Sequence, residues 1–103
     1  MNFLPFIQYL KTEKRYSNYT SISYETDLTQ FFQYIDTYYD IHDFEYVTHP
    51  VIRSWIASLV EKEISARTIN RKIACLRTFS KYLLQAEKIS KSPVIKISSL
   101  KIT

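Results

Sequence analysis

The chain has 103 residues, 46% of them hydrophobic and 23% charged, with nine Tyr, six Phe and one Trp. That is the size of one ordinary domain. It contains no glycine at all, where average usage would supply roughly 7%. Phosphate-cradling loops, dinucleotide-binding turns, nucleophile elbows and calcium loops all need glycine and are therefore excluded. Two-residue hairpins that favour Asn-Gly or Gly-X are disfavoured too, so an all-α fold is expected. A single cysteine, Cys75, excludes an internal disulfide and a cysteine-cluster zinc site. With no signal-peptide pattern and no long apolar run, the expected setting is cytoplasmic, without a membrane partner. Net charge is +4 but unevenly spread. Residues 1–47 hold three basic and seven acidic side chains; residues 48–103 hold eleven basic and three acidic. A basic half facing a polyanion is one reading, and a solubilising lysine surplus is the other.

The apolar set Phe3, Phe6, Ile7 and Leu10 has the spacing of one helix face, with Pro5 tolerated in the first turn. The run Lys11–Arg15 closes this first helix with basic side chains, which suits a C-terminus. Ser17 is the expected cap of a second helix whose buried stripe is Tyr24, Leu28, Phe31 and Ile35. Ile22, Thr26, Thr29 and Gln33 fall on its opposite, nearly uncharged side. Asp27 and Glu25 read as surface groups. This helix fades at Asp36–Asp40 into an acidic loop that reaches about Tyr46.

Thr48 is placed to cap a third helix, with Pro50 in its first turn and Ile52, Trp55, Ile56 and Leu59 facing the core. Ser65 caps a fourth, the longest, running to about Gln85 around the stripe Ile69, Ile73, Leu76, Ser80 and Leu83. With Ile69 at zero, Arg77, Asn70, Lys81, Ala74, Arg67, Thr78 and Arg71 fall between roughly 80° and 200°. That face holds four cations and no acid. Lys72 points elsewhere and reads as solvated, and Cys75 on a flank reads as a small packing residue. Pro93 forbids further helix, so residues 91–103 are expected to be a Lys/Ser-rich linker after a helical domain at 1–90. The second and fourth helices open alike, Ser17-Asn-Tyr-Thr20 and Ser65-Ala-Arg-Thr68. The shared opening means two good caps, and it also sets free backbone N–H groups where a phosphate can bind.

Phe6-Ile-Gln-Tyr-Leu10, Glu13-Lys-Arg-Tyr-Ser17, Thr20, Tyr24, Asp27-Leu28 and Phe31 together resemble the opening of Xer-type tyrosine recombinases and phage integrases. Ile52-Arg53, Trp55, Leu59, Ser65, Arg67-Thr68-Ile69-Asn70-Arg71-Lys72-Ile73, Leu76-Arg77, Phe79, Tyr82-Leu83 and Pro93 continue the resemblance in register. Ile64 departs from it, since the family commonly has glycine before that serine. The resemblance implies a core-binding, SAM-like bundle of four or five helices that forms half of a clamp around double-stranded DNA. It also implies a catalytic domain beyond the equivalent of Lys101 and a homo- or hetero-tetramer of recombinase subunits on DNA. Neither His42 nor His49 starts the family's His-x-x-Arg box, so no catalytic residue, metal or cofactor is expected in these 103 residues.

The residues expected to meet DNA are Arg67, Asn70, Arg71, Arg77 and Lys81 on the fourth helix. Thr20 and Ser21 at the start of the second would position phosphates. Asn70 has the donor–acceptor pair that fits an adenine edge. The competing expectation is a helical protein–protein module with Tyr38, Tyr39, Phe44 and Tyr46 as an exposed patch.

Overall fold

The structure, a computed structural model, describes residues 3–101. Four helices form in the order expected: α1 Leu4–Thr12, α2 Asn18–Tyr39, α3 His49–Glu61 and α4 Ala66–Gln85. Among the described residues there is no strand. A short 3-10 turn, Phe44–Tyr46, breaks the acidic loop between α2 and α3.

The caps at Ser17 and Ser65 are as the sequence predicts. Each serine oxygen accepts from the backbone N–H three residues on, Thr20 at 3.1 Å and Thr68 at 3.2 Å. Thr48 occupies the cap position of α3, yet its side chain makes no capping bond. There Pro50 in the first turn removes one of the donors a cap would serve.

The central element is α2, which packs against α1, α3 and α4. Its fully buried residues Leu28, Phe31 and Ile35 meet Phe6 and Leu10 of α1, Ile52 and Trp55 of α3, and Ile69, Ile73, Leu76 and Phe79 of α4 in one core. Aromatic rings stitch that core: Phe31 lies 4.9 Å from Trp55, Phe6 5.0 Å from Phe79, and Phe44 5.1 Å from Phe79, in edge-on contacts. Phe44 is therefore a core residue, 1% exposed, and leaves the patch expected at 38–46. The 3-10 turn folds it inward while Tyr46 stays outside. In α3 the buried face is Val51, Ile52, Trp55 and Leu59, with Ile56 only half-buried, a small rotation from the expected stripe.

The segment after α4 differs most from expectation. Residues 91–101 are non-helical, as Pro93 requires, but they do not leave the bundle. Val94 is 2% exposed and Ile97 6% exposed, both within the core cluster. After a turn at 93–96 the chain returns along α4 towards its N-terminus. One side of this tail borders His49, Arg53, Ile56 and Ala57 of α3, and the other borders Arg77, Thr78, Lys81 and Leu84 of α4. The Cα radius of gyration, 13.2 Å, matches the roughly 13 Å of a compact domain this long.

Candidate nucleic-acid interface

Helix α4 presents the cationic row that its period predicts. Arg67, Arg77 and Lys81 are exposed on it, and each pair among them is separated by a spacing that returns close to one face. The other expected contact residues are occupied within the protein, each for an identifiable reason.

Arg71 reaches across to α2. Its Nε and Nη2 donate to Asp27 Oδ2 and Oδ1 at 3.1 and 2.7 Å, a two-pronged ion pair. Hydrogen bonding to Asp27 holds the guanidinium even more firmly protonated than usual. Asp27 is 1% exposed rather than a surface group, and Lys72 is 4% exposed rather than solvated. Lys72 Nζ donates to Asp27 Oδ1 at 2.9 Å and to Gln30 Oε1 at 2.5 Å. Two cations thus share one buried carboxylate, and the three together bolt α4 to α2. A single helix projection missed this because the partner lies 44 residues away in sequence. The one available signal was an acid at position 27 inside an apolar stripe, between Tyr24 and Leu28.

Asn70 is likewise engaged. Its amide nitrogen donates to the Leu100 carbonyl at 2.9 Å, and its oxygen accepts from the Leu100 N–H at 2.7 Å. Arg77, though exposed, donates from Nη2 to the Ile97 carbonyl. Ser21 is 0% exposed, and its N–H donates to Ser17 O at 3.0 Å, so it faces the core and offers nothing outward. Thr20 is half-buried in the Ser17 cap, where its hydroxyl oxygen accepts from Ser17 Oγ at 3.0 Å. The residues that remain outward and free for a phosphate are Arg67 and Lys81, with the rest of the Arg77 fork beside them.

Cys75 is wholly buried under α2, its thiol 3.7 Å from the Tyr24 carbonyl, and burial pushes its ionisation well above the usual range. It is a packing residue, as its position on the flank predicts. Among the described residues, Asp36, Asp40 and His42 are the one set of three whose ligand atoms gather within 4.8 Å. All three are exposed, and both His42 ring nitrogens lie 3.0 Å from a carboxylate oxygen. Among the described residues no helix is long and apolar enough to cross a membrane.

Residues 5–87 match the family model described as phage integrase, N-terminal SAM-like domain. Curated relatives agree. The chain is 38% identical to tyrosine recombinase XerC of Bacillus licheniformis over 98 residues, 94% of this chain and 32% of that protein. It is 35% identical to the Anoxybacillus flavithermus XerC over 88 residues, 85% of this chain and 29% of that protein, and 34% identical to the Bacillus subtilis XerC over the same length. The chain thus spans about a third of the length of these relatives. No solved structure gives a significant match. With its four helices and this similarity across nearly all of its length, the chain belongs to the family of phage-integrase N-terminal SAM-like domains found in tyrosine recombinases.

Proposed function

We propose that this chain is the DNA-gripping, core-binding domain of a site-specific tyrosine recombinase. It holds duplex DNA as one half of a clamp whose other half is a catalytic domain, within a tetramer of subunits. The observation that carries the reading is the outward cationic row of Arg67, Arg77 and Lys81 on a helix whose opposite face is core. Phosphates along a groove edge are the natural partners of such a row, and each one neutralised releases condensed counterions. The seven acids of residues 1–47 all lie outside α4, which carries none of its own, so α4 is the element that faces the polyanion. The joint with Asp27 spends Arg71 on positioning α4, and this domain performs no bond chemistry of its own.

The test is fluorescence anisotropy of the chain with a duplex of about 20 base pairs, repeated across salt concentrations. Three phosphate contacts give a log–log slope of about −3. Arg67→Glu and Lys81→Glu, both on exposed side chains, each weaken binding while leaving the melting temperature in place. Arg71→Glu is unsuited to this purpose, because it breaks the joint with Asp27 as well. A duplex affinity that ignores both charge reversals and salt would exclude the reading. Sensitivity instead to changes at Tyr38 and Tyr46, which are 70% and 64% exposed, would move the function to protein contacts.

A further inference from the structure

The tail retraces α4 in a fixed register. Leu100 sits at Asn70, Ile97 at Arg77, and Val94 lines one cleft with Leu84. Seven helical residues rise about 10.5 Å and return to nearly the same face. Three extended residues cover about 10 Å. The steps from 70 to 77 on the helix and from 100 to 97 on the tail therefore keep pace, so residues 97–100 lie over a single stripe. The turn before them, in which Ile97 N–H donates to Val94 O at 3.0 Å, tucks Val94 into the cleft beside Leu84. Both helix positions, 70 and 77, belong to the basic face.

The chemistry at Asn70 is exclusive. One carboxamide presents a donor and an acceptor side by side, and a single residue of the tail, Leu100, occupies that edge with its own C=O and N–H. An adenine edge would require the same two groups. We propose that residues 94–100 form a strap which competes with duplex DNA for this stripe. Asn70 holds the strap rather than reads a base, and a duplex gains the whole of Arg77 only as the strap lifts. The inference rests on the DNA-binding reading above and adds an internal competitor to it. Val94 and Ile97 are the buried anchors, whereas Ser98, Ser99 and Lys101 are exposed and Leu100 is only partly covered. Lifting therefore begins at Leu100, where the Asn70 bonds close the strap.

Two variants open the strap from opposite sides. Asn70→Ala removes the receptor. Leu100→Pro removes the N–H that donates to Asn70 and leaves every side chain of α4 in place. Amide exchange at Leu100 in the first, and the Asn70 side-chain amide resonances in the second, report opening. Anisotropy with the same duplex reports affinity, and the remaining amide spectrum verifies that both variants are folded. Both are expected to bind DNA about 3- to 10-fold more tightly than the parent chain. Weaker binding by Asn70→Ala with no change in Leu100→Pro would make Asn70 a base reader and overturn the strap while DNA binding stands. Unchanged affinity in both, with opening observed, would show that the tail and the duplex do not compete, and also overturns it. If parent and variants all ignore DNA at low salt, the DNA-binding reading itself falls and the competition falls with it.

Discussion

Arg15, Asp40, Glu63 and Glu87 have φ values of 53°, 53°, 62° and 57°, in the left-handed region that glycine normally fills. Each follows the end of one helix. At α3 and α4 the turn is closed by a six-residue loop of hydrogen bonds, Ile64 N–H to Leu59 O at 3.1 Å and Lys88 N–H to Leu83 O at 2.9 Å. A residue with a Cβ is disfavoured there by roughly 1–2 kcal/mol. Glu63→Gly relieves that strain and returns part of the gain to the unfolded chain. The net is a stabilisation of about 0.5–1 kcal/mol and a melting temperature a few degrees higher. A thermal melt that moves down instead would show that the Glu63 side chain makes a contact outweighing its backbone strain. Cys75 and Tyr24 give the residue-scale pH dependence. Burial is the leading cause raising both, so the folded chain holds these protons more tightly than the unfolded one. Their contribution is complete below the unfolded values of about 8.5 and 10, and is lost as pH rises past them. Urea midpoints should thus be level from pH 7 to 8 and fall above about pH 9. Native Cys75 should resist alkylation at pH 8 until urea unfolds the chain, and fast modification of the folded protein would contradict its burial.

Between elements, the joint of α2 and α4 is a polar pin inside an apolar contact. Asp27→Ala strands the Lys72 ammonium, 4% exposed, without its carboxylate, which costs about 3–5 kcal/mol. Adding Lys72→Met to Asp27→Ala removes the stranded charge and should recover most of that loss. A double variant no better than the single one would show that Arg71, rather than Lys72, is the partner that matters. The helices themselves were legible because two independent signals coincide at each of them, an apolar repeat near 3.6 and a serine or proline at the start. The joint was not, since Asp27, Arg71 and Lys72 look like ordinary helix charges until two helices are set side by side. Ile56 and Phe44 were misplaced for a related reason. A stripe fixes a helix face to within a residue or so, and an irregular loop offers no period to read.

For the molecule as a whole, the boundary of the packed body is the main revision. A Lys/Ser-rich composition reads as linker, yet Val94 and Ile97 are buried in the core and Leu100 packs against it. Ending the chain after Pro93 removes the buried Val94 and Ile97. Burial of two such side chains is worth about 3 kcal/mol, equivalent to a melting temperature lower by about 10–20 °C. An unchanged melt in the shortened chain would return residues 94–101 to the status of linker. Which cations face outward was legible for Arg67 and Lys81. The engagement of the Arg71 cation and of the neutral Asn70 was not legible, because their partners on α2 and on the tail are remote in sequence.

The path of the tail also sets how the domain answers a mechanical load. Because residues 97–100 run antiparallel to α4 after the turn at 93–96, tension applied at Lys101 and directed away from the bundle meets one attachment at a time. It meets Asn70 at Leu100 first, then Arg77 at Ile97, then the buried Val94. That is unzipping rather than shearing, so the strap peels in small steps at low force. The four helices, braced by their common core, carry the load only after it has gone.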